Sequence, residues 1–97
     1  MRGLHTEVSA TGNGNLANSG ALTTAASSEL LFAAGVTGTV STAPGSGYTA
    51  QVITSPNGDI VEDAVAAVAG SYNATAPLSS GTWILQLAAY GAAGQAP

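Results

Sequence analysis

The residues of this chain that could do chemistry are one histidine, five carboxylates and a handful of aromatic rings: one Trp, three Tyr and one Phe. A Ser-His-Asp triad would need His5 as its base. No Gly-x-Ser-x-Gly elbow is present, and Gly45-Ser46-Gly47 has the wrong spacing for one. His5 sits near the start of the chain and reads as a solvated side chain. The absence of cysteine excludes disulfides, thiolate metal sites and thiol nucleophiles. The carboxylates are Glu7, Glu29, Asp59, Glu62 and Asp63. A glycosidase needs two of them facing each other across a cleft. On a strand, the adjacent Glu62 and Asp63 would point to opposite faces and could not form that pair. The chain therefore reads as non-catalytic.

Two binding chemistries are left. Asp59, Glu62 and Asp63, with the Asn57-Gly58 turn before them, offer hard oxygen ligands of the kind calcium takes from a loop and a strand end. The competing reading is a solvated turn, with Asp59 as a turn or cap residue. The aromatics offer the second chemistry. Sugar rings present apolar faces that stack on Trp and Tyr, while polar neighbours bond their hydroxyls. The candidates are Trp83, Tyr48, Tyr72, Tyr90 and Gln86. In the segment Thr82–Tyr90, Trp83, Leu85, Leu87 and Ala89 would share one face, and Ile84, Gln86, Ala88 and Tyr90 the other. The odd face is the more apolar and reads as core, which favours Trp83 as a core residue over a platform. The even face would expose Gln86 and Tyr90. Tyr48 follows a flexible Gly-Ser-Gly, and Tyr72 alternates with small residues.

The elements that must carry these residues are short and punctuated by turns. Polar stretches at Gly12–Gly20, Ala43–Gly47, Ser55–Asp59, Gly70-Ser71 and Leu78–Gly81 read as loops or turns, with Asn57-Gly58 a good hairpin signal. Between them lie strand-length runs at Leu4–Ala10, Ala21–Ala25, Glu29–Thr37, Thr39–Thr42, Tyr48–Thr54, Ser71–Ala76 and Thr82–Tyr90. Leu30, Leu31 and Phe32 stand together, so Glu29–Thr37 reads as buried on both faces. The segment Asp59–Gly70 carries a helix signature: Asp59 as N-cap, Glu62 three residues on, Gly70 as terminator, and Val61, Val65 and Val68 on one face.

At 97 residues there is room for one domain, spanning 1–97, with 1–3 and 91–97 as flexible ends. Hydrophobic residues are 45 % of the chain, but much of this is alanine, so the core should be thin. Only 6 % of residues are charged, against roughly 25 % in an ordinary domain. With one basic residue, Arg2, and a net charge of −4, the chain lacks the cationic stripe that nucleic acid or an anionic membrane surface requires. Its solubility must come from Ser, Thr, Asn and Gly, a surface common among extracellular bacterial proteins.

The ordered blocks Asn18-Ser19-Gly20, Glu29–Gly35, Gly45–Thr49, Glu62-Asp63, Gly70–Ala76 and Trp83–Tyr90 resemble the C-terminal half of β-sandwich modules in large secreted bacterial proteins. The resemblance covers roughly residues 4–90. It implies an all-β fold: an antiparallel, jelly-roll-like β-sandwich of about seven or eight short strands. It also tips Asp59–Gly70 towards strand. The function it implies is that of a non-catalytic carbohydrate-binding module, extracellular, attached to a polysaccharide-degrading enzyme or surface protein and binding β-glucan-type chains. The alternative is a structural spacer or adhesion repeat with no sugar ligand, which associates with neighbouring domains or pairs with a second copy.

Overall fold

The computed structural model describes residues 3–91, the side chains of residues 3–5 excepted. The His5 side chain therefore lies outside the described residues, as do the expected flexible ends apart from Gly3 and Gly91, which pair with each other in a strand.

Among the described residues the fold is all β. Seven strands run in chain order: β1 (Gly3–Asn18), β2 (Leu22–Thr24), β3 (Glu29–Thr37), β4 (Thr49–Ile53), β5 (Ile60–Ala66), β6 (Gly70–Tyr72) and β7 (Thr75–Gly91). Every pairing is antiparallel. One sheet has the order β1-β7-β3-β5-β4, and β2 and β6 form a separate two-stranded ribbon. The larger sheet is open, with β1 and β4 at its edges.

The helix signature at Asp59–Gly70 is overridden: Ile60–Ala66 is strand β5. It is held on both sides, with Glu62 opposite Ala33 of β3 and Ala50 of β4. Two ladders of non-local partners outweigh the few tenths of a kcal/mol per residue by which local propensity favours helix. The expected loop at Gly12–Gly20 is also corrected. Strand β1 continues through it to Asn18, with Gly12 opposite Trp83 and Gly14 opposite Gly81. Polar side chains such as Asn13 and Asn15 are exposed there, so they signal an edge strand as readily as a loop. Its partner, Leu78–Gly81, is not a turn either but part of β7. The expected strand at Thr39–Thr42 is reduced to one bridge, Ser41 with Leu78. The run Ser71–Ala76 is split between β6 and β7 at Asn73-Ala74, where Ser19 donates its N–H to the Ala74 carbonyl (3.0 Å) and takes the Ala74 N–H on its hydroxyl (2.9 Å).

Alternation sorts the large sheet into two faces. The inward face holds Leu31, Ala33, Ile60, Ala66, Leu85, Leu87 and Ala89, all buried. The ribbon adds Leu22 and the half-buried Tyr72 to the same cluster, Ala74 joins from the link between β6 and β7, and the start of β7 adds Ala76 and Leu78. Half of the buried apolar residues in this cluster are alanines, which is the thin core that the composition implies. Glu29–Thr37 is not buried on both faces: Phe32 is 37 % exposed and Val36 is 58 % exposed. Nothing within the described residues covers the outward side of β3. A register shift between Ala50 and Val52 interrupts the alternation of β4 and leaves Val52 exposed.

Candidate binding site

The even-numbered residues of β7 lie on the outward face, and Ala88 is the key to it. Across the ladders Ala88 stands opposite Glu7 of β1 on one side and Phe32 of β3 on the other. Along its own strand it lies between Gln86 and Tyr90, two residues away in each direction. A methyl group is thus ringed by four larger side chains. Strand spacing puts the Glu7 and Phe32 backbones roughly 10 Å apart, and the rise per residue puts Gln86 and Tyr90 roughly 13 Å apart. Phe32 is the diagonal neighbour of both Gln86 and Tyr90, within the reach of aromatic side chains across strands. Ala34 opposite Gln86 extends the low floor, and Ser9 adds a hydroxyl on the other flank. The result is a shallow, open well of about 400 Å³.

Further along β7 the sheet end forms a second hollow, of about 610 Å³, beside Trp83. Trp83 faces inward and its half-buried indole packs against the core, as its odd position implies. It lies over Gly12 of β1, and a methyl group at Gly12 would sit 2.8 Å from the indole Cε2. Gly12 is thus the backbone gap that admits the ring. Thr37 and Thr82 flank this hollow, and the Thr37 hydroxyl is already donated to the Thr82 carbonyl at 2.7 Å.

The other two tyrosines lie elsewhere. The Tyr48 hydroxyl donates to the Asn73 carbonyl at 3.2 Å, and the Tyr72 hydroxyl to the Val68 carbonyl at 2.7 Å. Both rings pack against the core cluster from the side of the ribbon and its neighbouring loops. Burial pushes the Tyr48 hydroxyl up to about 12, and the nearby Glu62 carboxylate adds to the rise. Of the five sugar-contact candidates the structure therefore joins Gln86 and Tyr90, sets Trp83 further along the same strand, and separates Tyr48 and Tyr72 from all three.

The three carboxylates considered for calcium do not converge. Glu62 points inward and is fully buried; its Oε1 accepts the Gly45 N–H at 2.8 Å, and its Oε2 has no hydrogen-bond partner among the described residues. Burial raises its pKa, and the Gly45 bond opposes this only in part. Asp63 points outward, where its Oδ1 accepts from the Gln51 amide at 3.2 Å. Asp59, just before β5, accepts the Thr37 N–H at 3.4 Å. No group of three or more His, Cys, Asp or Glu side chains placed to hold a metal occurs among the described residues.

Phe32 and Glu7 escape the sequence reading. The signal for Phe32 was alternation within β3, obscured by the apolar run Leu30-Leu31-Phe32. Glu7 had no local signal at all: only the register of β1 on β7 places it opposite Ala88. No protein-family model, curated protein or solved structure matches this chain.

Proposed function

We propose that this chain is a non-catalytic carbohydrate-binding module of an extracellular protein, and that it holds a β-glucan-type chain along the outward side of β7. The observation that carries this reading is the well around Ala88. Two aromatic rings, Phe32 and Tyr90, rise beside a small-residue floor, with Gln86 and Ser9 as hydrogen-bonding neighbours. Apolar sugar faces and hydroxyls ask for that combination. Ile84, Val36 and Thr11, at the outward edge of the second hollow, carry this face on along β7, so an extended polymer suits the surface better than a single sugar. The two-stranded ribbon over the inward face serves as a short second layer, and on that basis we place the fold with the jelly-roll-like sandwiches.

Affinity electrophoresis across β-glucans, xylans and mannans tests the reading. Retardation by at least one polysaccharide is expected, weakened about tenfold in Phe32→Ala or Tyr90→Ala while the circular dichroism stays unchanged. No retardation by any of them sinks it. Running the same panel with EDTA asks whether calcium contributes.

A structural spacer or adhesion repeat is the second reading. It is favoured by the apolar side chains that the outward face leaves in solvent beyond the well: Val36, Val52, Val65 and Ile84 are between 46 % and 63 % exposed. It expects association with a second copy or a neighbouring domain. A strictly monomeric species in sedimentation velocity counts against the self-paired form.

A further inference from the structure

We propose that the Ala88 well selects a glycan bearing a free ammonium group, the 2-amino position of a β-linked glucosamine unit, over the corresponding neutral sugar. This rests on the carbohydrate-binding reading and names the ligand chemistry of the same well. Three features in or beside one small space carry it. Glu7 closes one side of the well directly opposite Ala88, exposed, and no described side chain pairs with it. Phe32 and Tyr90 line the same floor, and an ammonium group is attracted to aromatic rings. Asp63 stands opposite Phe32 on the side away from Ala88, so a second carboxylate, its Oδ1 accepting from the Gln51 amide, lies one strand beyond the well.

Among the described residues that line the well the one charge is Glu7 of β1; β7 gives the uncharged Gln86 and Tyr90, β3 gives Phe32 and Ala34, and the next carboxylate, Asp63 of β5, lies beyond Phe32. No cationic side chain occurs among the described residues, since the only one in the chain is Arg2. Anionic glycans such as uronic-acid polymers meet only like charge among the described residues that line the well. A neutral chain satisfies the rings and Gln86 but gives Glu7 no opposite charge. A cationic sugar uses all of them, and the protein's net charge of −4 draws it in. The Ser9 hydroxyl and the Gln86 amide beside the floor favour a sugar ring over a lysine side chain, whose stem offers no hydroxyls for those groups to bond.

The test is calorimetric titration with the glucosamine tetramer, the N-acetylglucosamine tetramer and cellotetraose. The glucosamine tetramer is expected to bind on the order of tenfold tighter than either neutral tetramer at low salt. That preference is expected to vanish in Glu7→Gln, and on raising the pH until the amine is neutral, while cellotetraose binding is unchanged by Glu7→Gln. Phe32→Ala keeps the net charge and is expected to weaken all three ligands. Glucosamine binding that survives Phe32→Ala undiminished would show bulk charge attraction only and overturn the proposal. Equal affinity for the three tetramers overturns it too, while leaving the carbohydrate-binding reading intact; no binding of any tetramer removes both. Equal competition by Nα-acetyl-lysine methylamide would show that the well reads any ammonium group, and the assignment to a sugar falls.

Discussion

Glu62 is fully buried, with one carboxylate oxygen held by the Gly45 N–H and the other without a partner among the described residues. Its folded pKa is raised, chiefly by burial, so the folded state binds this proton more tightly than the unfolded chain does. The stabilisation is complete below the ordinary carboxylate value and is lost as pH rises through the raised one. The protein is therefore expected to melt at a higher temperature in mild acid than at neutral pH, within the limits set by its other carboxylates. Glu62→Gln keeps an acceptor for Gly45 and removes the charge, so it is expected to flatten that dependence between about pH 4 and pH 8 in a thermal-shift series. An unchanged slope would rule Glu62 out as its source. Gly45 itself is fixed by space, because a methyl group there would meet the Thr75 carbonyl oxygen. Gly45→Ala is expected to cost about 1–3 kcal/mol in urea unfolding, since one side of the clash is backbone.

At the scale of elements, β7 organises both the core and the well. Its odd residues Leu85, Leu87 and Ala89 are buried and its even residues Ile84, Gln86, Ala88 and Tyr90 face outward, the division that alternation in the sequence foretells. Leu85→Ala is expected to cost about 2–5 kcal/mol, whereas Ile84→Ala one position away stays within about 0.5 kcal/mol, both read from denaturant midpoints. Comparable losses at the two positions would contradict the assigned faces. Ala88→Leu fills the well from its floor and is expected to abolish glycan retardation with little change in stability. What local sequence could not supply was pairing. The turn at Asn57-Gly58 was readable, and so was most of β3, β4 and the end of β7. The continuation of β1 through Gly12–Asn18 was not, because Gly and Asn in an exposed edge strand look like loop until their partners Thr75–Trp83 are known. The candidate site was half legible for the same reason. Gln86 and Tyr90 follow from alternation on one strand, while Glu7 and Phe32 join them only through register.

Across the described residues the five-stranded sheet is open, with one face on the thin core it shares with the β2–β6 ribbon and the other in water. Such a sheet ordinarily shows polar residues outward. Here the β3, β5 and β4 side of that face keeps Val36, Val65 and Val52 in solvent, and with 6 % charged residues little repulsion keeps copies apart. Concentration-dependent association through this region is expected, and the pair Val65→Asp and Val52→Asp is expected to suppress it in sedimentation velocity without changing affinity for a neutral glycan. If the double variant associates as strongly as the parent, the contact lies elsewhere.

The long pairing of β1 with β7 has a mechanical consequence. Gly3 lies opposite Gly91, and the ladder runs from there to Asn18 opposite Thr75. A load that draws Gly3 and Gly91 apart falls on the first pair alone, then on the next, because antiparallel hydrogen bonds lie across the strands and open in sequence. The module would peel like a zipper at low force instead of resisting as a clamp. A linker entering at Gly3 and leaving at Gly91 would carry it as a side lobe, well placed to present a ligand face and poorly placed to bear the tension of a stalk.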